Sequence, residues 1–420
     1  MGGASSTIDA KTADPAELRR RLQDMKIDVP AKATPRDLIA MYEEATRPKP
    51  SLFKQVSDGY SELVGAIIRP PRVTYEVAAL GRTQFRIEGI AGEFERTDLE
   101  LVNTRGQKLV CSWWALRAAT AAVPTIVYLH GNSSCRAEAI DVIPTVLGSG
   151  CSLFAFDFAG CGLSQGEYVS LGYFESQDLK VIVDYLRASG RVTMIGLWGR
   201  SMGAVTAIMY TKSDPSIACM VLDSPFSSLR GLSKDLVDNA QVRVPRFAVN
   251  LGLRAVRSSI KSRANFDISE LEPIDCVPQC FVPALFGAGE DDDFIPPDHA
   301  RALHAAYGGD KNLVIFQGDH NTPRPEFFLH SAAIFLHNRL VAPGEAPVSD
   351  VAPSHHASVG ARFVMPAPMA TSSIHDANVF DAGFAHVARD QEELVDDEED
   401  MERILALIHE QEQLERVQGV

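Results

Sequence analysis

Short apolar runs recur between residues 125 and 318: "TIVYLHG", "SLFAFDF", "VTMIGLWG", "CMVLDSP", "CFVPALFGAG" and "NLVIFQG". They are rich in Val, Ile, Leu and Phe and lack a polar alternate face, the pattern of strands buried on both sides. A longer segment, "LELVNTRGQKLVCSWWAL", also reads as strand. Helical periodicity falls between the runs, near 137–148, 174–189, 202–212, 297–307 and 324–339. Strand–helix alternation of this kind gives an α/β fold with a doubly wound, mainly parallel sheet. Chemistry in such sheets sits at the carboxyl ends of the strands, and every motif discussed below falls at one.

The chain has 420 residues, enough for one large core plus accessory segments. No apolar run approaches the ~18 residues of a membrane span, and no stretch reads as a secretory signal. Seven cysteines, an odd number without redox or zinc spacing, read as reduced structural residues of a cytoplasmic protein. The net charge is −15, but residues 390–420 carry twelve acidic against two basic side chains. The acidity therefore belongs mainly to a tail, and without a basic face nucleic acid is not an expected partner.

The sharpest motif is "LWGRSMGA", residues 197–204, in which Gly199 and Gly203 flank Ser201. An apolar strand precedes it and an apolar helix follows. In that context the two glycines make room for a tight strand-to-helix turn that holds Ser201 at its tip, a nucleophile elbow. A serine needs a base, and the base an orienting carboxylate, in the chain order Ser, Asp or Glu, His. Of eleven histidines, His355, His356, His375, His386 and His409 lie in linker or tail. His299, His304, His330 and His337 fall on helices, and His130 precedes the serine. His320, in "FQGDHNTPRP", directly follows the last strand and is the expected base. Asp292, in "GAGEDDDFIPP", is the expected acid, ahead of its neighbours Asp291 and Asp293 and of Asp223 in "VLDSP". The amides of Met202 and Asn132 are the expected oxyanion donors.

The glycines of "GCGLSQG" miss dinucleotide-loop spacing, and there is no Walker-type loop or metal-ligand cluster. No cofactor or metal is expected.

Taken together, "LHGNSS", "FDFAGCGLSQG", "GLWGRSMGA", "VLDSPF", "GEDDDFIPP" and "GDHNTPRPEF" resemble, in order over roughly 270 residues, an α/β-hydrolase. The similarity is greatest to intracellular serine hydrolases of the prolyl aminopeptidase, monoacylglycerol lipase and protein depalmitoylase groups. The resemblance implies hydrolysis of an ester, thioester or amide by Ser201, Asp292 and His320. An acylated small molecule or acyl-protein is the expected substrate, with an ester or thioester ahead of a peptide. A non-catalytic interaction protein on the same fold is the rival class.

The expected organisation is an N-terminal helical hairpin over 1–50, a catalytic domain over 51–340 with a helical lid insertion near 226–278, a flexible linker over 341–389 and an acidic C-terminal helix over 390–420. The hairpin weakly resembles SAP-type modules, though its mixed charge suits protein docking better than DNA. "MGGASS" matches a myristoylation signature at Gly2, which would add reversible membrane association. Arg243, Arg246, Arg254, Arg257, Lys261 and Arg263 of the insertion read first as a solvated helix face and, as the alternative, as facing an anionic membrane or ligand, where Arg254, Arg257 and Lys261 would supply the second contact. "DDEEDMERILALIHEQ" resembles a ubiquitin-interacting motif but places Ile404 and Ile408 where that family has small residues, so any ubiquitin contact would be weak.

Overall fold

The computed structural model describes residues 13–341 except 31, 47–63, 66, 233–234 and 236–255. The chain divides into two compact units, 1–58 and 59–420. Gly2, the linker over 342–389 and the acidic segment over 390–420 lie outside the described residues, as do Arg243, Arg246 and Arg254.

The first unit contains helices α1 (Pro15–Asp24) and α2 (Pro35–Thr46). Asp14 Oδ1 accepts from the Ala16 amide to cap α1. Thr34 and Asp37 cap α2 reciprocally: the Asp37 amide donates to Thr34 Oγ1 and the Thr34 amide to Asp37 Oδ2. Leu18, Leu22, Leu38 and Tyr42 are buried together between the helices.

The second unit is built on nine strands: β1 (Gln84–Phe85), β2 (Phe94–Val102), β3 (Lys108–Leu116), β4 (Val123–Leu129), β5 (Ser152–Phe156), β6 (Val192–Arg200), β7 (Cys219–Asp223), β8 (Ala284–Gly289) and β9 (Lys311–Phe316). They form one sheet in the order β1-β2-β3-β5-β4-β6-β7-β8-β9. The pairs from β5 to β9 are parallel, and β1 to β3 are antiparallel additions at one edge. The segment read as strand over 99–116 is two strands of a hairpin. "NTRGQ" turns the chain because Gly106 adopts φ 75° and the Asn103 amide bonds the Gln107 carbonyl.

Helices α3 (Ile143–Gly148), α4 (Tyr173–Ala188), α5 (Met202–Thr211), α6 (Pro297–Ala306) and α7 (Glu326–Leu340) cover the sheet. Two buried clusters line its faces, one around Phe154, Phe156 and Leu197, the other around Trp114, Trp198 and Phe328. Both faces are thus buried, which is why the central strands read as continuous apolar runs. The lid insertion expected near 226–278 falls in the chain between β7 and β8, partly outside the described residues. Its described part includes a helical stretch over 256–264, where Arg257 and Lys261 both pair with Asp267.

The "FDFAGCGLSQG" loop after β5 is wrapped around a carboxylate. Asp157, fully buried, accepts from the Arg136 amide and Nη1, the Leu163 amide and Tyr75 Oη. A Cβ at Gly162, which adopts φ 47°, would collide with that carboxylate. A fixed negative charge at its centre makes this loop unsuited to phosphate.

Candidate active site

The register of the parallel strands brings the carboxyl ends of β4, β6, β7, β8 and β9 side by side. Leu129 and Leu222 both pair with Gly199, Arg200 with Asp223, Asp223 with Gly287, and Gly289 with Phe316. Ser201 follows β6 immediately and adopts φ 52° and ψ −118°, a left-handed conformation that costs an ordinary residue about 1–3 kcal/mol. Packing enforces it. A Cβ on Gly199 would overlap the Gly203 carbonyl, and one on Gly203 would overlap the Leu129 carbonyl. The Ser201 amide donates to the Asp223 carbonyl at 2.8 Å, which ties the turn to the next strand. Ser201 is held at the entry of α5.

His320 stands in the loop after β9. Asp319 organises that loop, accepting from the amides of Asn321 and Thr322 and from the Thr322 hydroxyl. The imidazole packs edge-on against Phe294, with ring centroids 5.1 Å apart. Its Nδ1 lies 2.7 Å from Asp292 Oδ2, and both side chains are buried. An ionised carboxylate only accepts, so Nδ1 carries the proton and Nε2 is the basic nitrogen. The other Asp292 oxygen accepts from the Ile295 amide at 2.7 Å. Of the neighbouring acids, Asp291 bonds the Gly318 amide instead. Asp223, the alternative acid, is paired with Arg324 Nε at 2.7 Å.

The loop after β4 carries Asn132. His130, fully buried, contacts the Gly131 carbonyl through Nδ1 at 2.7 Å and accepts from the Phe158 amide at Nε2. Accepting at Nε2 leaves Nδ1 as the donor. The Gly131 carbonyl and the Asn132 amide belong to one peptide plane, so this bond fixes the direction of the Asn132 N–H. Met202 is the first residue of α5, so its amide has no acceptor within the helix. Its N–H stands at the positive end of the helix.

Charged residues that sequence reasoning missed surround these groups: Arg200, Glu138 and Arg324. The Arg200 guanidinium donates to Glu138 and to the His320 carbonyl, and Arg324 donates to that same carbonyl at 3.2 Å. Burial opposes the charge on Glu138, but Arg200 and the Gly131 amide outweigh it and hold the carboxyl below its usual range. A charged residue inside the elbow itself was the available signal.

All seven cysteines are free and buried, and burial pushes the thiols up, Cys135 beside the Asn132 loop to about 12. None is poised as a nucleophile. Among the described residues no group of His, Cys, Asp or Glu is arranged to hold a metal, and no helix is long and apolar enough to cross a membrane.

Known proteins share this arrangement of strands and loops. The family described as Serine aminopeptidase, S33 matches residues 120–271. The chain is 28% identical to the uncharacterized protein YqkD of Bacillus subtilis (strain 168), over 47% of this chain and 64% of that one. It is 26% identical to the α/β hydrolase domain-containing protein WAV2 of Arabidopsis thaliana, over 50% and 65% respectively. It thus spans a little under two thirds of the length of these two relatives. Human monoglyceride lipase is 26% identical over 59% of this chain and 92% of its own. Among solved structures, the Pyrococcus furiosus esterase Pf2001 superposes with a TM-score of 0.50 at 23% identity, over 65% of this chain and 98% of that one. The chain has the α/β-hydrolase fold, and these similarities support a place in the α/β-hydrolase superfamily.

Proposed function

We propose that the protein is a serine hydrolase that cleaves acyl esters or thioesters through an acyl-enzyme. The observation that carries this reading is the buried His320–Asp292 pair at 2.7 Å, with the His320 carbonyl bonded to the side chain of the residue preceding Ser201. In this reading the Ser201 hydroxyl attacks the acyl carbon as its proton passes to His320 Nε2. Asp292 stabilises the imidazolium that forms. The amides of Met202 and Asn132 receive the charge on the acyl oxygen, each worth about 3–4 kcal/mol of barrier. Collapse expels the alcohol or thiol, which takes the proton back from His320. Water then repeats the sequence on the acyl-enzyme, releasing the acid and restoring Ser201.

An ester or thioester substrate is favoured over a peptide because no acidic site for a substrate amino terminus is assigned among the described residues. The names of two relatives, a monoglyceride lipase and an esterase, point the same way. The test is covalent labelling by a fluorophosphonate probe, followed by a series of p-nitrophenyl esters and acyl thioesters of graded length. Labelling is expected in the wild type and lost in folded Ser201→Ala. Labelling that persists in that variant overturns the assignment, and labelling without turnover of any acyl substrate favours an interaction protein.

A further inference from the structure

Arg200 stands between Gly199 and Ser201, and its guanidinium joins three loops. Nη1 donates to Glu138 Oε1 and Nη2 to the His320 carbonyl, each at 2.9 Å. The other Glu138 oxygen, Oε2, accepts from the Gly131 amide at 2.9 Å. The two side chains are only 14% and 4% exposed. One buried ion pair is therefore bonded covalently to the elbow, through a carbonyl to the loop of the base, and through an amide to the loop carrying Asn132.

We infer that the Arg200–Glu138 pair is a positioning device for hydrolysis, setting the mutual placement of Ser201, His320 and the Asn132 amide. The inference rests on the serine-hydrolase reading above. Neither side chain is placed at the reacting atoms, so both act through other residues. Stability alone does not account for the pair, since buried ion pairs are often replaceable by apolar residues at no loss. Geometry does. A displacement of about 1 Å between nucleophile and base costs on the order of 100-fold in rate, and these three loops are far apart in the chain. Arg is suited to the task because its planar fork addresses two acceptors at once, which a Lys ammonium on a flexible stem does not.

The pair also makes a prediction that a purely structural role does not. His320 faces Asp292 at Nδ1 and the edge of Phe294, with Asp319 next to it in the chain and Arg200 and Arg324 at its carbonyl. Arg200→Gln removes a cation and leaves the Glu138 anion, so the field of this buried pair at the base turns negative. Glu138→Gln leaves the Arg200 cation unbalanced and has the opposite effect.

The experiment is the pH profile of kcat/KM with p-nitrophenyl butyrate for the full chain and for Arg200→Gln, Arg200→Lys and Glu138→Gln. The glutamine variants are expected to lose about 10- to 100-fold in kcat, somewhat less than removal of an oxyanion donor, with KM within about threefold. The acid limb is expected to move up in pH for Arg200→Gln and down for Glu138→Gln. Arg200→Lys should recover part of the kcat loss and restore the limb. A kcat within twofold of wild type, or limbs that move together or not at all, overturns the inference. If the single variants fail to fold, the paired replacement Glu138→Leu with Arg200→Met removes both charges. A folded double variant with full kcat overturns the inference, and one with depressed kcat at unchanged KM supports it. Ser201→Ala is labelled in parallel: persistent labelling there defeats the serine-hydrolase reading, whereas normal labelling and kcat in the charge variants defeat only the positioning role.

Discussion

Asp223 ends β7 with its carboxylate 2.7 Å from Arg324 Nε, and both side chains are largely withdrawn from solvent. Of the two acids at adjacent strand ends, one holds a guanidinium and the other, Asp292, holds His320. The pairings separate the expected effects of removing each charge. Asp292→Asn should reduce kcat by about 10⁴-fold in folded protein, because the histidine loses the partner that fixes its tautomer. Asp223→Asn leaves Arg324 buried without its counter-charge, a change of about 3–5 kcal/mol in stability, with a far smaller loss of kcat in the folded fraction. Denaturant melts and steady-state rates on both variants decide the matter. A larger kcat loss for Asp223→Asn would reverse the assignment.

The elbow glycines make a second prediction. Gly199→Ala and Gly203→Ala each drive a methyl group into backbone, which cannot move aside as a flexible side chain can. Overpacking of this kind should cost about 3 kcal/mol or more. Gly106→Ala offers the contrast: its φ is positive, but nothing lies within 4 Å of the added Cβ, so only conformational strain of about 1–2 kcal/mol remains. Thermal melts of the three variants should rank Gly106→Ala well above the other two, and equal melting temperatures would refute the packing argument.

How far these features can be read from the chain depends on how local their causes are. The elbow is legible because its two glycines and serine lie within five residues of one another, between an apolar strand and a mostly apolar, buried helix. His320 and Asp292 are legible because strand ends in a parallel sheet converge, so loops after β8 and β9 can meet despite the residues between them. The hairpin over 94–116 is harder. Its turn sits inside a segment that reads as one strand, and only Asn103 and Gly106 mark it. Arg200, Glu138 and Arg324 are not legible as a group, since the contacts that join them to Glu138, His320 and Asp223 span 62 to 120 residues of sequence.

Glu138 ties stability to acidity. Its carboxyl is held below the usual glutamate value of 4.5, as Arg200 and the Gly131 amide outweigh the cost of burial. The unfolded chain therefore takes up the proton first as pH falls. The stabilising contribution is complete above the ordinary carboxylate range and is lost as pH drops through the folded-state value. Glu138→Gln should flatten the decline of unfolding free energy below pH 4.5, measured by urea melts at stepped pH. An unchanged slope would show that the carboxyl titrates alike in both states.

The last prediction concerns the loop after β5, where Asp157 satisfies four donors at once. Arg136 contributes two of them and is itself only 1% exposed, with Nε donating to Ser112 Oγ at 3.0 Å. Asp157→Asn keeps the shape but replaces a charged acceptor with a neutral amide, one end of which is a donor facing donors. The Arg136 cation is then buried without its counter-charge, and the expected loss is about 3–5 kcal/mol. Tyr75→Phe removes a single hydroxyl from the same carboxylate and should cost only about 1 kcal/mol, since Asp157 keeps its other three donors. The loop bonds β3 on one side, where the Asp157 amide donates to the Val110 carbonyl at 2.9 Å, and the Asn132 loop on the other, where the Phe158 amide donates to His130. Loss of the charge should therefore slow probe labelling at Ser201 before the protein unfolds, by loosening the loop that aims the Asn132 amide. Labelling rates below the melting transition, compared between Asp157→Asn and Tyr75→Phe, test this. A folded Asp157→Asn that labels at the wild-type rate would confine Asp157 to stability.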